Sequence, residues 1–391
     1  MGGSLVTIVL TGGGSGGHIT PVLAVAHELK QLDPTVRLVY IGQKGDNLSD
    51  IPRSNPDIDE AYDISAGKFR RYHGEGLRQL LDVRTMALNA RDAFRVLKGL
   101  SQSRRLLKKL QPDVVFIKGG FVGVPVGLAA AQLKIPYVTH DSDVIPGLAN
   151  RIVARWAALH TVALPKEVYH YPPAKTRTVG VPVHANYQPV DDAARSEYAA
   201  LIGLVSYKDI MLVTGGGLGA QRLNTAIQHI IPKLLQQYPE LAVVHVVGRK
   251  HESAANEFYG SLDESVRSRV VVKGFIEDMH NYSGAASVIV TRAGATALAE
   301  FAMQHKACIV VPNPQLTGGH QTKNADYLAS QGAIDVVLEG AMEYDLPPAI
   351  ARLLEDSKLR EEMGKKLSSF AVTDASRQLA MVLLEQAQAR K

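Results

Sequence analysis

At 391 residues, with 46% apolar and 21% charged residues, the chain falls in the range of globular proteins, which excludes disorder, collagen and a disulfide scaffold. The length suits two domains, and a single cysteine, Cys308, excludes an intrachain disulfide or a cysteine-based zinc site. A net charge of +5 is modest, and its distribution says more than its total.

Short apolar runs rich in β-branched residues alternate with longer amphipathic stretches, the signature of strand–helix–strand units around a parallel sheet. The first run, 5–10, has no basic segment ahead of it and reads as a strand rather than a signal peptide, so a cytoplasmic protein is expected. It leads into Gly12-x-Gly14-x-x-Gly17, whose glycines let a backbone approach phosphates at a helix N-terminus. His18 follows at the expected start of that helix. The positive helix end disfavours a second proton on the ring, which makes His18 a usable base near neutral pH. The next strand, 38–41, is followed by Gly42-Gln43-Lys44, and the first acid is Asp46. A nicotinamide enzyme needs an acid at the strand end for the ribose and is disfavoured, with Lys44 beside a 2′-phosphate its remaining form. A P-loop is excluded because no Gly-x4-Gly-Lys-Ser/Thr occurs.

From Lys68 to Lys118, Lys and Arg predominate, opposed by Glu75, Asp82, Asp92 and Asp113. Apolar residues such as Leu77, Leu81, Leu88, Phe94, Leu97 and Leu107 recur near helical spacing, so 68–109 reads as amphipathic helices with basic faces. They are either ordinary surface helices or a surface resting on anionic lipid headgroups. Nucleic acid is not expected, since aromatic residues for base stacking are few. No run reaches the roughly 18–20 apolar residues of a spanning helix.

Strands at 114–117 and 137–139 follow, and the Pro-, His- and Tyr-rich stretch 165–192 places a domain boundary near residue 186. The second half repeats the scheme: strand 210–213 runs into Gly215-x-Gly217-x-x-Ala220, with further strands at 243–247, 270–272, 288–290 and 309–311. Gly294 opens a helix with Glu300 on its second turn, where a carboxylate can bond two adjacent sugar hydroxyls or remain a solvated helix charge. Cys308 reads as a buried structural thiol. The last helix, about 375–388, is compatible with either half.

Five segments stand in a telling order: 11–21 (TGGGSGGHITP), 112–125 (PDVVFIKGGFVGVP), 140–150 (HDSDVIPGLAN), 215–220 (GGGLGA), and 291–300 (TRAGATALAE) followed by 319–325 (GHQTKNA). Together they resemble the peptidoglycan UDP-N-acetylglucosamine:undecaprenyl-diphospho-muramoyl-pentapeptide N-acetylglucosaminyltransferases, which make lipid II from lipid I. The resemblance implies an α/β protein of two Rossmann-like domains facing a cleft (GT-B type). An acceptor- and membrane-facing domain would span 1–186 and a UDP-sugar domain 187–391, with the last helix able to pack back on the first. The implied reaction is inverting transfer of N-acetylglucosamine from UDP-GlcNAc to the C4 hydroxyl of MurNAc in lipid I, with His18 as base. Arg292, Gly294, Ala295, Thr296 and Glu300 would form the nucleotide helix, with Glu300 on the ribose and backbone groups near Phe275 and Ile276 on the uracil. His320 and Gln321 would meet the sugar hydroxyls and Gly217 the donor diphosphate. Ser15, Gly16, Gly17, Asp143 and His184 would serve the acceptor and its diphosphate.

Implied partners are UDP-GlcNAc, undecaprenyl-linked lipid I and an anionic membrane met by 68–109, for a peripheral protein on the cytoplasmic face. No tightly bound cofactor or divalent cation is expected, and Asp141-Ser142-Asp143 is read as acceptor-side. Three departures from the family pattern stand out. Gly217-Leu218-Gly219-Ala220-Gln221 replaces Ser-Gln-Gly-Ala-Arg, with Arg222 one place later; His184 replaces an arginine; and His140-Asp-Ser-Asp143 replaces His-Glu-Gln-Asn. The alternatives are a related UDP-sugar transferase or epimerase with another acceptor or none, and a diverged UDP-sugar-binding protein without chemistry.

Overall fold

The computed structural model describes residues 5–67, 83–216, 220–316 and 319–390, with the backbone alone for 83–89. The chain divides into two compact units, one of Met1–His184, Gln315–His320 and Val372–Lys391, the other of Ala185–Pro314 and Gln321–Ala371.

In the N-terminal unit, β1 (Thr7–Thr11), β2 (Arg37–Gln43), β3 (Glu60–Ile64), β4 (Val114–Ile117), β5 (Tyr137–Asp141), β6 (Leu159–Val162) and β7 (Thr176–Thr178) form one sheet in the order β3-β2-β1-β4-β5-β6-β7. Every pairing is parallel. The central strands are buried throughout, as expected of strands covered on both faces. Between them run α1 (Gly16–Leu32), α2 (Asp50–Ser54), α3 (Val83–Leu110), α4 (Gly123–Gln132) and α5 (Leu148–Val153). The expected helices of the basic segment are, within the described residues, one continuous α3 of 28 residues; 68–82 lie outside them. Asp92, Val96, Gly99, Ser103, Leu107 and Leu110 face inward at spacings of three and four, and Phe94 and Leu97 face outward beside Arg91, Arg95 and Lys98. Gly99 lets α3 lie against the chain after β3, because a Cβ there would stand 1.9 Å from the Ser65 carbonyl oxygen.

The C-terminal unit holds α6 (Asp192–Leu201), β8 (Asp209–Thr214), α7 (Gln221–Gln237), β9 (Leu241–Val246), α8 (Glu252–Gly260), α9 (Glu264–Arg267), β10 (Val270–Lys273) and α10 (Met279–Ala285). It continues with β11 (Val288–Thr291), α11 (Ala295–Met303), β12 (Cys308–Val310), α12 (His320–Ser330), β13 (Asp335–Val336), α13 (Met342–Glu355) and α14 (Ser357–Ser368). Its sheet, also parallel, runs β10-β9-β8-β11-β12-β13. Cys308 is fully buried, and burial pushes its thiol pKa well up.

Both sheets share one design: the first strand is flanked by the second on one side and the fourth on the other, so connections leave in opposite directions. Open α/β sheets bind ligands in the crevice this reversal leaves at the strands' carboxyl ends. The crevices lie beyond β1 and β4 in one unit and beyond β8 and β11 in the other.

The last helix, α15 (Ala375–Gln388), belongs to the N-terminal unit. Leu379, Ala380, Val382, Leu383 and Ala387 join Ile8, Leu10, Val22 and Val25 in one core cluster. Ser376 Oγ donates to the Val183 carbonyl at 2.8 Å, and Arg177 pairs with Glu385 at 2.8 Å. Gly180, at φ +81°, admits the returning chain, since a Cβ there would stand 2.5 Å from Val372 Cβ. Leu383→Ala is expected to destabilise this unit by about 2–5 kcal/mol, the cost of a buried leucine cavity. Denaturant unfolding should show it as an earlier transition of the N-terminal unit, with that of the C-terminal unit unmoved.

Candidate functional site

The N-terminal crevice is built from bare backbone. A Cβ on Gly12 would stand 2.2 Å from the His18 carbonyl oxygen, and Gly14 takes φ +80°, so the sharp passage from β1 into α1 requires glycine at both. Tyr40 Oη donates to the Gly12 carbonyl at 2.5 Å, and Asp46 Oδ2 accepts the Gly14 N–H at 2.6 Å. Asp46, read in the sequence only as an acid too late for a ribose, therefore fastens the glycine loop itself. At Gly16, a Cβ would meet nothing within 4 Å, which leaves the α1 N-terminus open.

His18 sits on the first turn of α1. Its Nδ1 lies 3.1 Å from the Gly13 carbonyl and 3.0 Å from Ser15 Oγ. Since a carbonyl only accepts, Nδ1 carries the proton and Nε2 presents its lone pair. Withdrawal from water and the Lys118 charge push the ring's pKa down to about 4, against the raising effect of Asp143. Burial, more than the helix end, thus removes the second proton. The Nε2 edge faces Gly119 at φ +122°, where a Cβ would lie 3.4 Å away.

Ser15, expected near the acceptor, orients His18 through Nδ1. Asp143, in the loop after β5, is brought within the electrostatic field of His18 and of Lys118. Asp141 is committed within the fold, accepting from Gly147 N at 3.0 Å, Asn150 Nδ2 at 3.0 Å and Tyr171 Oη at 2.8 Å. His184, expected at the acceptor diphosphate, lies beside α1. Its ring packs 5.3 Å from that of His27, two and a half turns along α1 from His18, or about 13 Å at 1.5 Å per residue.

In the C-terminal crevice, Gly294 is the N-cap of α11 with no side-chain cap, and a Cβ there would meet nothing within 4 Å. The amides of Ala295 and Thr296 stand at this open, positive helix end. Glu300, one turn on, is half-buried and accepts a hydrogen bond from the Tyr187 hydroxyl, whose pKa burial and Glu300 raise far above its usual value. Tyr187 is thus a fixed donor that holds the carboxylate, a role unseen in the sequence. Arg292 lies in the loop after β11, with Nη1 on the Val311 carbonyl at 3.1 Å and Nη2 on Glu339 at 2.6 Å. Glu339 also takes Arg222 at 2.8 Å and is itself buried. This Arg222–Glu339–Arg292 bridge ties together the loops after β11, β12 and β13, and nothing in the sequence marked Glu339. Phe275 and Ile276 follow β10, with the Arg249 guanidinium 4.7 Å above the Phe275 ring. His320 opens α12, and Gln321 Oε1 accepts the Asn313 N–H at 2.9 Å. Gly216 takes φ +83°; Gly217 lies outside the described residues.

Comparison with known proteins bears on the fold and the family. The model of the glycosyltransferase family 28 N-terminal domain matches residues 8–161, and that of its C-terminal domain residues 210–379. The UDP-N-acetylglucosamine–N-acetylmuramyl-(pentapeptide) pyrophosphoryl-undecaprenol N-acetylglucosamine transferase of Natranaerobius thermophilus is 32% identical over 96% of this chain and 98% of its own. The crystal structure of Acinetobacter baumannii MurG superposes with a TM-score of 0.68 at 26% identity, covering 97% of this chain and 99% of that one. A UDP-GlcNAc 2-epimerase from Neisseria meningitidis reaches a TM-score of 0.69 over 97% of this chain and 100% of its own at 13% identity, and shares the fold alone. With two parallel-sheet α/β domains of GT-B type and this full-length likeness, the chain belongs to the UDP-N-acetylglucosamine–N-acetylmuramyl-(pentapeptide) pyrophosphoryl-undecaprenol N-acetylglucosamine transferase family of family 28 glycosyltransferases.

Proposed function

We propose that this chain transfers N-acetylglucosamine from UDP-GlcNAc to the C4 hydroxyl of MurNAc in lipid I, with inversion, and that His18 is the base. The observation that carries the mechanism is the His18 ring, fixed through Nδ1 to Gly13 and Ser15 beyond the switch of the first sheet, with Nε2 unprotonated. Nε2 takes the hydroxyl proton as that oxygen forms its bond to the anomeric carbon, and the bond to UDP breaks with its electron pair leaving on the diphosphate. A ring whose pKa is about 4 is a weak base towards a resting alcohol. It acts because the hydroxyl becomes acidic as the C–O bond forms, while the Asp143 charge favours the growing imidazolium.

On the donor side, the ribose hydroxyls meet Glu300, held by Tyr187, and the amides of Ala295 and Thr296 face the diphosphate at the α11 end. Gly217 joins them there. Backbone groups near Phe275 and Ile276 receive the uracil, and His320 and Gln321 the sugar hydroxyls. Arg292, committed to Glu339 and Val311, is a positioning residue for this helix. Gly16 and Gly17, at the open end of α1, offer amides to the acceptor diphosphate. The protein works at the cytoplasmic face of the membrane, where α3 presents Phe94 and Leu97, 70% and 64% exposed, among Arg91, Arg95, Lys98, Arg104 and Arg105. No helix among the described residues is long and apolar enough to cross a membrane.

UDP release from UDP-GlcNAc should depend on a short-chain lipid I analogue and fall by about 10²–10⁴ in His18→Ala. Full activity of that variant would remove the mechanism, and UDP release without acceptor would favour an epimerase. Because His18 is held near pKa 4, its base form persists as pH falls through the ordinary histidine range. The acid limb of acceptor kcat/KM is expected below about pH 5, and Asp143→Asn, which removes a raising charge, should move it lower still. A limb at about 6.5, the unperturbed histidine value, would contradict this. Replacing Phe94 and Leu97 by serine should weaken sedimentation with anionic vesicles by about 10-fold or more, as burying two large apolar side chains allows, and leave turnover of a water-soluble acceptor analogue unchanged.

A further inference from the structure

One buried charge bears on the reaction as derived only through its effect on the His18 ring. Lys118 follows β4 directly, is 4% exposed, and donates its backbone N–H to the Thr11 carbonyl at 3.0 Å. It therefore stands between β1 and β4, where the sheet reverses. The residues after it are bare: a Cβ on Gly119 would lie 3.4 Å from His18 Nε2 and 4.0 Å from Asn150 Nδ2, and one on Gly120 would lie 2.5 Å from the Gly13 carbonyl oxygen. The two glycine loops thus form facing walls of one crevice, with His18 on one wall and Lys118 at the root of the other.

The acids within the field of Lys118 are Asp141 and Asp143. Asp141 already accepts three hydrogen bonds from Gly147, Asn150 and Tyr171. A second polar group in the crevice wall points the same way. Asn150 donates to the His140 carbonyl at 2.9 Å and to Asp141, and its Oδ1 is buried with no donor on it among the described residues. A buried ammonium and a buried, unmatched acceptor beside one catalytic histidine suit a ligand that carries both negative charge and hydroxyls, the chemistry of a sugar phosphate.

We infer that Lys118 is a substrate-contacting residue whose ammonium pairs with the diphosphate of the lipid-linked acceptor. The inference rests on the acceptor named above. It also supplies the cation that His184, packed on His27, does not bring to the glycine loop. A buried cation at the sheet end gains from a fixed position and a low local dielectric, both of which strengthen its pairing with a phosphate.

The test is calorimetric binding of inorganic pyrophosphate to the full-length chain with UDP saturating the donor half, for wild type and Lys118→Met, alongside KM values for both substrates. Lys118→Met should weaken pyrophosphate binding and raise the acceptor KM by about 10- to 100-fold, the range of a charge-assisted contact. The donor KM should stay as it was, and Lys118→Arg should recover most of the loss. Should methionine prevent folding, Lys118→Gln serves in its place. Pyrophosphate affinity and acceptor KM unchanged in the neutral variants would overturn the inference and leave Lys118 as a counterion for Asp141 and Asp143. Lys118-dependent pyrophosphate binding without transfer to the lipid I analogue would uphold the anion site while refuting the acceptor assignment.

Discussion

The approach of Gly12 to the carbonyl of His18 is the constraint from which the N-terminal half of the site follows. With 2.2 Å between that oxygen and any Cβ, another residue would push α1 off the end of β1. His18 would then lose the Gly13 and Ser15 partners that fix its tautomer, and the Nε2 lone pair with them. Gly119 and Gly120 impose the same condition from the facing loop. Asp46 and Tyr40 pin the loop from outside, and in doing so they decide what it can hold. With the Gly14 amide already donating to Asp46, anion binding on the proposed mechanism falls to the helix end at Gly16 and Gly17. The acid that a dinucleotide site would turn towards a ribose is here turned on the loop, a structural reason why the fingerprint does not make a nicotinamide site.

The C-terminal half meets the same topological opportunity with different means. Its first loop is matched by an open helix end on α11 and by a carboxylate, Glu300, that a buried tyrosine holds in place. Buried Glu339 takes two arginines at once, and it is tolerable inside because both its oxygens have guanidinium partners. Arg222 stands one place beyond the position where the family resemblance implies an arginine. Held on Glu339, it restores a basic group to the start of α7 and ties that helix to the loop carrying Arg292.

The sequence made the central strands legible because they are buried on both faces and read as continuous apolar runs. The glycine loops were legible because their spacing is dictated by backbone approach. Three of the four edge strands were not: β3, β7 and β13 carry polar residues such as Glu60, Arg177 and Asp335, which periodicity assigns to connections, and the short inner strand β6 was missed with them. Within the site, His18 and Glu300 could be found by their place relative to a glycine and a strand end. Tyr187 and Glu339 could not, since each reaches its partner from a distant stretch and neither sits in a motif. His184 was assigned from the resemblance alone, and its packing on His27 depends on the path of the chain after β7.

Charge tells how the two substitutions on the acceptor side fit together. An arginine replaced by His184 gives up a permanent cation, and the ring it meets, His27, is itself engaged by Asp57 at 3.1 Å. Lys118 lies instead at the buried end of β4, where its charge helps keep His18 unprotonated while Asp143 opposes it. On the proposed mechanism the two charges have separate tasks: Lys118 favours the neutral ring that must receive the proton, and Asp143 favours the imidazolium once the proton has arrived. An amide in place of Asp143 would remove the charge that opposes Lys118 and make the imidazolium harder to form. The acid in the 140–150 loop and the lysine after β4 therefore read as one adjustment of the base, made in two segments that only the sheet brings together.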